Sequence, residues 1–336
     1  VYKRQQLEEQ IAPKAYIVRI PFGPRRYLHK TKLWPYIEVF VDQCLNYFQR
    51  NKSNPDIIHG HYADAGFGGG HLARLLGVPF VFTGQSLGRV KRERLLESGL
   101  DDEKLESRYK LSTRIEAEEY ALETCSLICT STHQEVNDQY RQYHNKDIPK
   151  FYVIPPGLNI EKFYPFYHDM LAETAKDEIE LYAQASILEE LNRFFMHPDR
   201  PVILSLCRPD KRKNIAGLIK AYGEDLELQS MANLAIFAGI RKDITKMEDN
   251  EQDVLTEILL LMDKYDLYGK IAIPKRHDFE HEVPELYRIA AEKKGVFVNS
   301  ALTEPFGLTL IEAAACGLPI VAPDDGGPRD LSLIHI

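Results

Sequence analysis

The sequence predicts an α/β protein made of two doubly wound, Rossmann-like parallel-sheet domains facing a cleft. Three observations carry that expectation. The chain has 336 residues, enough for two domains of about 150 residues each. Short apolar runs alternate with helically spaced segments throughout, the pattern of strand and crossover helix. The first series stops at Pro156-Gly157, a polar helical stretch follows, and the series restarts at Pro201. The expected partition is an N-terminal domain over residues 1–165, a helical linker over 166–198 and a C-terminal domain over 199–330.

In chain order, residues 15–21 alternate and read as the first strand, and a helix runs from Leu33 to about Phe48. Residues 55–62 read as a strand with a polar end. A loop rich in small residues is expected over 63–70, then a helix over 71–76 that Gly77 ends and a strand over 78–83. Gly66, Gly68 and Gly70 come close to the dinucleotide fingerprint without matching it, and no acidic residue follows at the required interval, so no nicotinamide site is expected. One long acid-rich helix is expected over 108–123 and a strand over 126–131. Thr132 followed by Glu135 has the capping-box spacing. Residues 151–157 form a strand running into a rigid turn.

The second half repeats this grammar. Strands are expected over 201–206, 234–239, 271–274, 295–299 and 319–322. Helices are expected over 214–222, 254–265 and 284–293, with one more between Pro305 and Gly317. Ligands of such sheets bind at the carboxyl ends of the strands.

Composition narrows the function classes. The formal net charge is −8, which argues against nucleic acid as a partner. No apolar run approaches the about 20 residues of a membrane span, and no secretory signal is read. The five cysteines, Cys44, Cys125, Cys129, Cys207 and Cys316, contain no Cys-x-x-Cys. Zinc and a disulfide framework are therefore not expected, and a reducing, cytoplasmic compartment is. Residues 1–5 and 331–336 read as translated adapter sequence, so the chain is expected to be a fragment.

Two strand ends carry chemistry. In the stretch from Thr303 to Gly317, Glu304 lies at a strand-to-helix turn and Glu312 lies two turns into the helix. The helix start offers free N–H groups and positive dipole potential for a phosphate, and the acids can accept hydrogen bonds from hydroxyls. An anion flanked by hydroxyls describes a nucleotide sugar; the alternative is an ordinary crossover with two solvated acids. Arg208 and Lys213 follow the first strand of the same expected sheet and suit a diphosphate; the alternative is a solvated basic loop. The chain holds no Asp-x-Asp pair, the sign of a metal that would grip a diphosphate, so no essential metal is expected.

Arg208-x-Asp210-x-x-Lys213-Asn214 with Glu304-x7-Glu312 resembles the retaining glycosyltransferases of the GT-B fold, in their fourth family. His59-Gly60-His61-Tyr62-Ala63-Asp64-Ala65-Gly66, Thr83-Gly84-Gln85-Ser86-Leu87-Gly88-Arg89 with Lys91, and Arg114-Ile115-Glu116-Ala117-Glu118-Glu119 look like the sucrose-phosphate synthase family. So do Ile154-Pro155-Pro156-Gly157, Tyr265-Asp266-Leu267-Tyr268-Gly269 and Gly326-Gly327-Pro328. The resemblance runs from about Ala15 to Asp330. It implies glucose transfer from UDP-glucose to fructose 6-phosphate with retention at the anomeric carbon. UDP-glucose enters as a substrate, with no permanently bound cofactor. Arg208 and Lys213 would hold the diphosphate, Glu304 the donor-sugar hydroxyls and Glu312 the ribose. Backbone amides of Phe306, Gly307, Leu308 and Thr309 would complete the phosphate cradle, with Arg241 also on the donor side. Lys91 and Arg114 would hold the acceptor phosphate, with His61 and Gln85 on the acceptor side. Without the family, Lys91 reads as a lysine on a solvated helix, Arg114 as the partner of Glu118, and His61 as a strand-end histidine.

Three departures stand out. Gln85 occupies the family's usual His position, and a glutamine cannot carry a proton as imidazole does. The family's Gly-Asn-Arg turn reads Gly239-Ile240-Arg241. The Gly-Gly-Gln loop and the closing helices would lie outside residues 1–336, so low activity is expected of the chain alone. A related transfer from GDP-mannose, sucrose synthase activity on free fructose, and a non-catalytic sugar-phosphate-binding homologue are the alternatives.

Overall fold

The computed structural model describes residues 6–331 except 27, 98 and 169–175. Of the expected adapter residues 1–5 and 331–336 all but Leu331 lie outside the described residues, as does part of the expected linker helix. The chain divides into two compact units, Val1–Pro155 and Pro156–Ile336.

The first unit holds a four-stranded parallel sheet of order β3 (Ile58–His61), β4 (Phe80–Thr83), β5 (Leu127–Thr130) and β6 (Lys150–Val153). The residues expected to form its first strand do not join it. β2 (Ala15–Val18) pairs antiparallel with β1 (Glu8–Ala12) in a separate hairpin, turned by Lys14 at φ +64°. A partner two residues away closes at lower loop entropy than one across the domain.

The expected loop over 63–70 is helical, part of one helix Tyr62–Leu76. Its glycines weaken helix propensity but admit close neighbours. A Cβ on Gly66 would lie 2.5 Å from the Phe82 ring, and one on Gly70 2.7 Å from Thr124 Oγ1. The long helix expected over 108–123 is instead two helices, Asp102–Tyr109 and Leu111–Thr124, separated by Lys110 at φ +52°. Thr132 Oγ1 accepts the Glu135 N–H at 3.1 Å, while the Glu135 carboxylate accepts from Ser131 N at 3.3 Å.

In the second unit a five-stranded parallel sheet runs β11 (Ile320–Val321), β10 (Val296–Val298), β7 (Val202–Cys207), β8 (Asn233–Ala238), β9 (Ile271–Ala272). Alternate strand residues enter two cores, one on each face. Val202, Leu204, Leu206, Ala235 and Phe237 pack with helices Glu178–Asn192, Glu282–Glu292 and Leu308–Ala315. Ile203, Leu234, Ile236 and Ala238 pack with helices Ile215–Glu224 and Asp249–Lys264. Both faces are covered, so the strands read as continuous apolar runs. The Glu178–Asn192 helix starts with a full capping box between Asp177 and Glu180. Among the described residues no helix is long and apolar enough to cross a membrane.

Candidate functional site

In the second unit β7 and β10 are parallel neighbours, so the loops after Cys207 and Val298 leave from the same sheet edge. Asp210 folds the basic loop: its side chain caps the Lys211–Lys213 turn and takes both Nε and Nη2 of Arg212, at 3.2 and 3.0 Å. Asn214 follows in the left-handed region at φ +50°. This turn sends Lys213 Nζ to Glu304 Oε2 at 2.6 Å. Asn299 Nδ2 donates to the same oxygen at 2.9 Å, and Asn299 Oδ1 accepts from Ala301 N at 3.1 Å. Ser300 Oγ donates to Lys213 O at 2.9 Å, and Leu302 N donates to Arg212 O at 2.9 Å. Arg208 is exposed at the edge and makes no ion pair among the described residues.

The helix Leu308–Ala315 begins behind Glu304. Gly307 stands at its start at φ +94°, and no side chain caps it. The first N–H groups at the positive end of the helix dipole therefore have no side-chain cap. Phe306 and Gly307 are buried, Leu308 is exposed and Thr309 is half-buried. The Gly326-Gly327-Pro328 segment closes on this turn: Gly327 N donates to Glu304 O at 2.8 Å, and a Cβ there would lie 2.1 Å from Phe306. Glu304 and Glu312 are both only 7% exposed, so neither is the solvated acid of the simpler reading. Tyr287 Oη donates to Glu312 at 3.2 Å. Burial raises the Glu312 carboxyl above its ordinary range, against the pull of Tyr287 and Lys162.

Arg241, expected on the donor side, is turned elsewhere. Its Nη1 and Nη2 donate to the carbonyls of Pro274 and Ile273 at 2.8 and 3.0 Å, and burial lowers its pKa. Its guanidinium fastens the chain beyond β9 and does not join Lys213 and Glu304. A strand end buried on both sides leaves carbonyls that need donors, and the sequence gives no sign of which cation supplies them.

In the first unit the turn after β4 is fastened from below. Gly84 N donates to Tyr140 Oη at 3.1 Å, and a Cβ at Gly84 would lie 2.5 Å from that oxygen. Gln85 follows, exposed and left-handed at φ +59°. Glu118, fully buried, accepts the Gly88 N–H at 2.9 Å and Arg114 Nε at 2.9 Å. Tyr143 Oη donates to Glu118 and accepts the Arg89 N–H at 3.2 Å. Burial raises the Glu118 carboxyl, opposed by Arg114, Tyr143 and Gly88. Arg114 Nη2 donates to Ser86 O, and the guanidinium lies 4.5 Å from the Tyr62 ring centre. Lys91 Nζ lies 4.5 Å from the Tyr109 ring. His61 is the cross-strand neighbour of Thr83, and its ring is 4.2 Å from that of His59. His59 Nε2 shares a 2.8 Å hydrogen bond with Thr83 Oγ1. Burial, then the neighbouring His61, lowers the His59 pKa.

Arg114, His61 and Gln85 thus flank the exits of β3 and β4, and Arg114 is paired with Glu118 as its helical spacing alone suggests. Sequence reasoning assigned no part to Asn299, Tyr140 or Tyr143. A polar residue ending an apolar strand was the available signal for Asn299; nothing local marks the two tyrosines.

Residues 3–179 match the family described as sucrose synthase first GT-B domain. The chain belongs to the GT-B glycosyltransferases. Residues 189–332 match glycosyl transferases group 1. This GT-B chain is 45% identical to probable sucrose-phosphate synthase 2 of Arabidopsis thaliana, over 94% of the chain and 33% of that protein. It is 44% identical to sucrose-phosphate synthase of Zea mays, over 95% of the chain and 34% of that protein. It therefore spans about a third of the length of these relatives. Among solved structures, a sucrose-phosphate synthase of Thermosynechococcus elongatus aligns with TM-score 0.69 and 24% identity, covering 97% of this chain and 70% of that one. Anabaena HepE in complex with UDP-glucose aligns with TM-score 0.59 and 16% identity, covering 87% of this chain and 65% of that one. At these identities the two structures speak to the GT-B fold.

Proposed function

We propose that this GT-B chain is the core of a retaining glycosyltransferase that moves glucose from UDP-glucose to fructose 6-phosphate, giving sucrose 6-phosphate and UDP. The observation that carries the reading is the meeting of Lys213 and Glu304 at 2.6 Å beside an uncapped helix start. A cation, a carboxylate and a helix N-terminus on one sheet edge suit a sugar diphosphate. Residues 199–330 take the nucleotide sugar, residues 1–165 the acceptor, and 166–198 link them.

On donor binding, Lys213 exchanges the Glu304 carboxylate for a diphosphate oxygen, with Arg208 beside it. Both cations offset the charge that grows on the leaving diphosphate. The released Glu304 accepts hydrogen bonds from the donor-sugar hydroxyls, and Glu312 from the ribose. The amides of Phe306, Gly307, Leu308 and Thr309 face the phosphates. Lys91 and Arg114 hold the acceptor phosphate, with His61 and Gln85 alongside. Attack from the face the diphosphate leaves retains configuration, and the departing phosphate oxygen takes the acceptor proton. Gln85, which cannot carry a proton, is compatible with that route. No metal is assigned. A cytoplasmic setting fits five unpaired cysteines.

Gln85 also favours a second reading, a non-catalytic protein that binds sugar phosphate on the same fold. A donor-by-acceptor screen on the whole protein separates them, with UDP-glucose and GDP-mannose against fructose and fructose 6-phosphate. The expected result is turnover with UDP-glucose and fructose 6-phosphate. Turnover with GDP-mannose only, or with free fructose only, replaces the substrates. Binding without turnover in any pairing establishes the second reading.

A further inference from the structure

A buried polar cluster of the first unit centres on Glu118, which has no part in the transfer as described so far. Its carboxylate takes donors from three places. Gly88 N bonds both oxygens, at 3.1 and 2.9 Å, from a residue 30 positions away. Arg114 Nε bonds Oε1 at 2.9 Å, and Tyr143 Oη bonds Oε2. Gly88 opens the helix Gly88–Glu97, in which Lys91 stands one turn on. Arg114 reaches Ser86 O with its second nitrogen, and Tyr143 holds the Arg89 N–H. One carboxylate thus joins the turn bearing Gln85, the helix start bearing Lys91, and Arg114.

A helix N-terminus and a guanidinium each call for an anion. Glu118 answers both at once from the neighbouring helix Leu111–Thr124. Glutamine could not, because its amide would turn N–H donors toward Arg114 or Gly88. If the cluster served stability alone, apolar side chains of the same volume would do as well or better. Two of the three donor groups instead belong to the wall that faces the acceptor.

We propose that Glu118 is a positioning residue for the phosphorylated acceptor. It touches no substrate; it fixes Arg114 and the turn at 84–91 in the one arrangement that grips a sugar phosphate. The inference rests on the acceptor assignment made above.

The test uses the whole protein, with fructose 6-phosphate and UDP-glucose titrated by calorimetry into wild type, Glu118→Gln and Tyr143→Phe, alongside KM and kcat. The expected result for Glu118→Gln is fructose 6-phosphate affinity weaker by on the order of 10- to 100-fold, with UDP-glucose affinity unmoved. Tyr143→Phe keeps the Arg114–Glu118 pair and should give a smaller loss of the same selectivity. Equal binding of fructose 6-phosphate by Glu118→Gln and wild type overturns the role. So does a parallel loss of both ligands with a lower melting temperature, the mark of a purely structural carboxylate. If Glu118→Gln does not fold, unchanged fructose 6-phosphate binding in Tyr143→Phe overturns it. Failure of the acceptor assignment is distinct: wild type would then bind UDP-glucose and not fructose 6-phosphate, and the positioning role would fall with it.

Discussion

Each unit presents a turn at the carboxyl end of a parallel strand, and the two are held by different means. After β4 the anchors lie beneath the turn: Tyr140, Tyr143 and Glu118, all fully buried. After β7 and β10 the anchors are the two loops themselves, joined through Lys213 and Glu304, whose side chains keep 19% and 10% of their exposure. In the first case the groups that hold the turn are separate from most of those assigned to ligand. In the second they are the same groups, so under the proposed function the Lys213–Glu304 ion pair opens to take a donor. A buried anchor favours one fixed geometry; a shared anchor favours exchange.

The contrast is breakable by substitution. Glu118→Ala strands Arg114, the Gly88 N–H and the Tyr143 hydroxyl in the core, and should cost about 3–5 kcal/mol of stability in denaturant unfolding. Glu304→Ala leaves Lys213 able to reach water and should cost clearly less; equal losses would erase the distinction. Lys213→Ala should reverse the pattern. It should cost less stability than Glu118→Ala, because Glu304 keeps the Asn299 donor, and remove about 2–4 kcal/mol of transition-state stabilisation, read as kcat/KM.

Glu312 offers a pH test. Burial raises its folded-state pKa above the unfolded value, so in that window the folded state binds more protons. Its contribution to stability is then largest below the unfolded pKa and falls as pH rises through the folded one. Glu312→Gln should flatten that fall in unfolding curves taken from acid toward neutral pH. Tyr287→Phe, which removes the hydroxyl bonded to Glu312, should steepen it and cost about 0.5–1.5 kcal/mol. The smallest effect belongs to the exposed Gln85. Gln85→His should raise turnover by about two- to tenfold, short of the roughly 100-fold or more that a general base contributes. An unchanged rate would remove position 85 from the chemistry.

Much of this was legible from residue order. The strands of the second sheet announce themselves as apolar runs, because both of its faces are covered. The Glu304-to-Glu312 helix and the Arg208-to-Lys213 loop could be assigned to strand ends for the same reason. The helix Tyr62–Leu76 was hidden because its glycines serve close packing against Phe82 and Thr124, which no local pattern records. The break at Lys110 was hidden because lysine carries no left-handed signature. The Glu118 cluster joins residues about 30 positions apart, and the fastening of Arg241 to Ile273 and Pro274 spans a similar gap. Such contacts exist only once the chain is folded, whereas motif residues declare their type in the sequence.

Under the proposed function, the shared anchor of the second unit is a nucleotide-sugar site. Amide hydrogen exchange of the whole protein, with and without UDP-glucose, tests it directly. The expected result is slowed exchange concentrated at residues 306–309 and 208–213. UDP-glucose binding that leaves both segments unprotected would contradict it.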